Sequence, residues 1–99
     1  MLSKIPINTD NISAEDLDKE ILRAGMVAEL DAVNLYEQMA AMTENDDLKK
    51  VLLDIAKEEK THIGEFQAML LKLDEEQMGE LENGANEVLE LTESDDELE

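Results

Sequence analysis

Cysteine is absent from this chain of 99 residues. No disulfide framework can therefore reinforce a small core, and thiolate metal chemistry is excluded. Aromatic residues make up only 2% of the chain, one Tyr and one Phe, so the large rings that fill many cores are missing. Leucines and six methionines take their place, a composition better suited to Leu- and Ala-packed helices than to a sandwich or barrel. Proline occurs once, at Pro6. No apolar run reaches the ~18 residues of a membrane span, and the opening "MLSKIPINTD" lacks the apolar block of a signal peptide. The expectation is a soluble, cytoplasmic protein. Basic residues are scarce as well, 8 against 27 acids, for a net charge of −19. Such a field repels nucleic acid and anionic membrane surfaces and favours cations, metal ions included. A short chain without staples is expected to draw stability from a bound metal or an oligomer.

What is present is helical periodicity. Residues 1–12 read as an extended lead-in, since Pro6 and the Asn and Asp residues discourage helix. "SAED" at 13–16 is a capping-box pattern with Ser13 at the N-cap. A first helix then runs to about Met42, with Ile21, Gly25, Ala28, Ala32, Leu35 and Met39 along its stripe. The polar run "TENDD" (43–47) is the turn, and a second helix runs from about Asp46 to Leu73. Its stripe is Leu48, Leu52, Ile55, Ala56, Ile63, Phe66, Met69, Leu70 and Leu73. Two long helices with a short loop make an antiparallel hairpin over residues 13–73. Asp74 caps a weaker third helix over 74–91, expected to be interrupted near Asn83–Gly84. Residues 92–99 read as an acidic tail or linker. The fold class is all-α: a hairpin plus a short C-terminal helix, with dimerisation completing a four-helix bundle.

Two polar anomalies interrupt the apolar stripes. On the second helix, Glu59 and the only histidine, His62, share the face of Leu52, Ala56 and Phe66, and at i and i+3 they can meet. On the first, Glu29 and Tyr36 lie on the apolar side. A carboxylate facing a core is costly unless it is paired, hydrogen-bonded or bound to a cation. Residue 44, inside the turn, lies midway between 29 and 59, which sets both glutamates at one height, roughly 22 Å from the bend. Two carboxylates and one imidazole then converge, a set that suits iron, manganese or zinc. Di-iron bundles use a Glu from each of two helices and a Glu-x-x-His from each of the other two. This chain holds half of that set, Glu29 and "EKTH" at 59–62, and a two-fold dimer would complete it. Met26, Met39, Met42 and Met69 read as packing, Gly25 and Gly64 as permitting close helix approach, and Glu37, Glu58, Lys60 and Glu65 as solvated face.

"AELDAVNLYEQMA" (28–40) followed by "EEKTHIGEF" (58–66) resembles the encapsulated ferritins. It is especially similar to the ferritin-like domain fused ahead of the shell protein in archaeal encapsulin systems. The resemblance implies a ferroxidase that oxidises iron(II) at a di-iron centre shared across a dimer. It implies a ring-shaped decamer of five dimers, housed with an encapsulin shell protein inside a cytoplasmic nanocompartment that stores iron. By the same resemblance Glu29 and His62 are metal ligands, Glu59 is a carboxylate bridging the two irons, and Tyr36 is a hydrogen-bond partner behind them. The family's iron-entry acids fall at Ala28 and Asp31, so only Asp31 keeps that role. The acidic end "TESDDELE" does not match the family's apolar shell-targeting peptide. Two other functional classes compete: a non-catalytic acidic module for oligomerisation or shell docking, and a rubrerythrin-like di-iron peroxidase or zinc-binding dimer. The electron-donor domain of a rubrerythrin would be expected to use cysteine, and there is none.

Overall fold

The structure is a computed structural model, and it describes residues 13–97. The lead-in expected at 1–12 lies outside the described residues. All regular structure among them is helical: α1 (Ala14–Met42), α2 (Asp46–Leu73) and α3 (Glu75–Glu97). The boundaries of the hairpin follow from local capping. Ser13 Oγ accepts from the Asp16 N–H at 3.3 Å and starts α1. The chain turns extended at Thr43, and Asn45 Oδ1 accepts from the Leu48 N–H at 3.0 Å to start α2. Each side-chain oxygen satisfies a donor that the helix itself cannot.

The two long helices run antiparallel. Glu37 faces Lys60, Glu29 faces His62, Gly25 faces Phe66 and Arg23 reaches Asp74. Their contact is built from Ala24, Val33 and Ala40 on α1 and Leu52, Ala56 and Leu70 on α2, all buried. Three of these six are alanines, so the contact is thin but close, as small side chains let helix backbones approach. At Gly25 the approach is close, since a β-carbon there would stand 3.0 Å from the Phe66 ring.

The structure corrects the face assigned to α1. Ile21 and Met39, placed on the buried stripe, are exposed, and Ala24, three residues after Ile21, and Ala40, next to Met39, are buried instead. The packed row runs through Glu29, Val33, Tyr36 and Ala40, which centres both polar anomalies on the helix contact. On α2, Leu48, Met69 and Leu73 are also exposed in the single chain. Gly64 does not mediate a close approach here: nothing lies within 4 Å of a β-carbon built on it.

α3 departs from expectation as well. It runs unbroken through Asn83–Gly84 and past residue 91 to Glu97. A glycine inside a helix costs about 1 kcal/mol relative to alanine, which weakens a helix without ending it. Asn83 also donates to Glu80 one turn back at 3.2 Å. Asp74 is the N-cap, with its Oδ1 accepting from the Gln77 N–H at 3.1 Å.

Candidate metal centre

Three side chains meet midway along the hairpin. His62 Nδ1 lies 3.5 Å from Glu29 Oε2 and 3.4 Å from Glu59 Oε2. One ligand atom from each residue can be chosen so that all three lie within 4.8 Å of one another. Glu59 and His62 share one turn of α2, and the hairpin register supplies Glu29 from α1. The expected equal height of Glu29 and Glu59 is therefore met.

Electrostatically the arrangement is unresolved without a cation. Both carboxylates are only 19% exposed, and both approach the same imidazole nitrogen. One Nδ1 proton cannot satisfy two carboxylates, and Glu29 Oε2, buried from solvent, has no hydrogen-bond partner. A buried, unsatisfied carboxylate oxygen carries a substantial desolvation cost. Oxygen and nitrogen ligands bind first-row divalent ions at about 2.0–2.2 Å, so one ion could touch all three groups after a small side-chain adjustment. The donor set and the orphaned oxygen thus fit a hard or borderline metal ion such as iron.

The cluster opens on a groove of about 440 Å³, lined by Leu22, Glu29, His62, Glu65, Phe66 and Met69. The His62 side chain, which helps line it, is 45% exposed, so the cluster is open to solvent on the groove side. Tyr36 is half-buried on the same row as Glu29. It stands two turns along α1, however, and is not brought into the cluster of its own chain. Asp31 is two residues from Glu29, hence on a different side of α1, and does not join the three clustered side chains. Glu65, read from the sequence as solvated face, shares the groove. Its spacing of three residues after His62 was the available signal. Lys60 and Glu37, also read as solvated face, pair across the hairpin at 3.3 Å.

A family model described as EncFtn-like matches residues 5–89. The chain belongs to the EncFtn-like family. It is 54% identical over 94 residues to a ferritin-like–encapsulin shell fusion protein of Pyrococcus furiosus. It is 39% identical over 56 residues to the encapsulin nanocompartment cargo protein EncC of Myxococcus xanthus. These matches take in 93% and 57% of this chain but 27% and 43% of those proteins, so the chain spans less than half the length of either. Among solved structures, the encapsulated ferritin domain from Pyrococcus furiosus superposes with a TM-score of 0.80 at 53% identity, covering 93% of this chain and 96% of that one. The EncFtn-like chain is thus a ferritin-like helical fold. None of its helices is long and apolar enough to cross a membrane among the described residues.

Proposed function

We propose that this EncFtn-like chain is a ferroxidase working at a di-iron centre completed by a second copy of itself. The observation that carries the reading is the convergence of Glu29, Glu59 and His62 at mid-hairpin, with ligand atoms within 4.8 Å of one another. One chain supplies a single imidazole and two carboxylates, half of a two-metal ligand set. Two copies related by a two-fold axis, grooves facing, supply four carboxylates and two imidazoles. The open side of the groove is the side such a partner would close.

In this scheme iron is the substrate. Two iron(II) ions each lose one electron, and one dioxygen takes both electrons with two protons and leaves as hydrogen peroxide. Glu29 and His62 hold iron within each half-site, and Glu59 spans the two metals. Hard anionic oxygens favour the higher charge of iron(III). Tyr36 steadies the ligands by hydrogen bonding, within the completed bundle and not within one chain. Asp31, on the neighbouring side of α1, draws iron inward under the strongly negative field. The two curated relatives are a shell fusion and a nanocompartment cargo protein. We extend that setting to this chain: oxidised iron passes to storage inside an encapsulin compartment, with the ferritin-like units arranged as a ring-shaped decamer.

The test is aerobic addition of iron(II) to metal-free protein. Rapid growth of ferric absorbance is expected, with about one iron held per chain if two metals serve two copies. Equal oxidation rates for the wild type and a Glu59→Ala/His62→Ala variant would falsify the ferroxidase reading.

A further inference from the structure

The groove beside the metal cluster holds an oxidisable side chain that no step of the proposed reaction uses. Met69 lines it together with Glu29, His62 and Phe66. It follows His62 by two turns of α2 and lies within about 20° of the same row, about 10 Å along the axis. Side chains on a helix lean towards its N-terminus, which carries the Met69 thioether back towards Phe66 and His62. Leucine would pack there as well, since the two residues exchange at little cost. What methionine adds is a polarizable sulfur that accepts oxygen.

Hydrogen peroxide is the second product of the proposed iron oxidation, and it forms in this groove. The chain offers it few targets, having no cysteine and no tryptophan. Among the residues lining the groove, Leu22, Phe66, Glu29 and Glu65 are inert to two-electron oxidation. The imidazole of His62 is engaged with two carboxylates. Met69 is the thioether among them, and it is 49% exposed.

Exposure alone would single out another methionine. Met42 is 81% exposed and Met78 54%, both more than Met69. Met42 lies in a separate groove at the turn end, with Met39 and Leu48, about 20 Å along α1 from Glu29. Peroxide arriving from solution therefore meets Met42 first. Peroxide released at the cluster meets Met69 first, and a partner closing the groove would sharpen that preference.

We infer that Met69 is the peroxide acceptor of this site, and that its thioether becomes a sulfoxide as iron is oxidised. The sulfur lone pair attacks one peroxide oxygen, so that an S–O bond forms and the O–O bond breaks. The departing hydroxide takes the proton from the new S–OH group and leaves as water. Sulfur loses two electrons and peroxide gains them, so each chain consumes one peroxide. Methionine sulfoxide reductases reverse the change. The inference rests on the ferroxidase reading, because iron oxidation supplies the peroxide.

The test is to load wild-type protein aerobically with iron(II), digest it and weigh its methionine peptides by mass spectrometry. Oxygen uptake at Met69 should exceed that at Met42 several-fold. Catalase in the solution should abolish the Met42 signal and spare Met69. Metal-free protein given hydrogen peroxide should reverse the order, with Met42 ahead. Ferric absorbance with Met69 unmodified, with Met69 and Met42 modified equally, or with Met69 protected by catalase overturns the proposal. Oxygen on the Phe66 ring in place of Met69 also overturns it, since that marks radical chemistry. Absence of ferric absorbance would remove the ferroxidase reading, and this proposal with it. As a second measurement, Met69→Leu keeps the volume and removes the sulfur. It should release several-fold more free peroxide per iron oxidised in the first turnover, and an equal yield overturns the proposal while leaving the ferroxidase reading intact.

Discussion

Gly25 and Phe66 face each other so closely that a β-carbon on residue 25 would stand 3.0 Å from two atoms of the ring. Phe66 also lines the groove that holds Glu29 and His62. The glycine therefore sets both the helix separation and the position of one wall of the site. Gly25→Leu should destabilise the metal-free chain by about 1–3 kcal/mol through overpacking and should weaken metal binding as the ring is displaced. Gly64→Ala, where the space is open, should instead stabilise by up to about 1 kcal/mol. Urea midpoints of the two variants separate these effects; equal behaviour would sink the steric account.

The orphaned oxygen of Glu29 implies a trade between stability and binding. Glu29→Gln removes one of two carboxylates crowding His62 Nδ1 and supplies an amide donor. The metal-free variant should gain about 1 kcal/mol, near 4–8 °C in Tm for a domain of this size. Saturating iron(II) or a divalent surrogate should raise the Tm of the wild type and leave the variant unmoved. An equal metal-induced shift in both, followed by thermal melting under argon, would remove Glu29 from the ligand set.

Leu70 is buried at the contact of the two long helices and also lines the groove at the root of α3. With six buried residues holding the hairpin, Leu70→Ala should cost about 2–5 kcal/mol, a large share of a small domain's stability. Asn45→Ala, which removes only the cap on Leu48, should cost about 1 kcal/mol. Chemical denaturation of both would order them; a larger loss for the cap would contradict the packing described.

Asp74 gives α3 a dependence on acid. The N–H of Gln77 is the main influence holding its carboxyl below the usual range; partial burial opposes this, and Arg23 and Lys19 assist. A carboxylate with a lowered folded pKa contributes stability above its unfolded value and loses it as pH falls through the folded one. Acidification below about pH 4 should therefore loosen the start of α3 from Arg23. Asp74→Asn, which keeps a capping oxygen without the charge, should flatten that part of the acid response. Circular dichroism of both proteins against pH reads it, and parallel curves would discount the ion pair at 2.9 Å.

The hairpin and the meeting of Glu29, Glu59 and His62 were legible in the sequence because each rests on local or additive rules. Ser13, Asn45 and Asp74 announce helix starts through side-chain chemistry at fixed offsets. The spacing of Glu59 and His62, with Glu29 equally far on the other side of the turn, fixes their meeting once the helices are granted. The face of α1 was harder. Ile21, Leu22, Ala24, Met26, Val27, Ala28 and Leu30 are apolar nearly all round the helix, so periodicity cannot select one row, and the tertiary contact chose the row of Ala24 and Ala40. The course of α3 was hidden for the opposite reason. Asn83 and Gly84 look like a break, yet their propensity cost is too small to enforce one. Glu65 and the Lys60–Glu37 pair depend on how two helices face each other, which a single-helix pattern does not encode.

Glu29 stands near the middle of α1 and Glu59 near the middle of α2. Helix ends unravel first, and their amides exchange with solvent on short timescales while packed centres open only with the whole unit. The Glu29–Glu59–His62 cluster therefore occupies the last part of the hairpin to come apart. Deuterium uptake should be slowest around residues 29 and 59, and transient fraying at the turn or at Asp74 would leave a bound ion where it is.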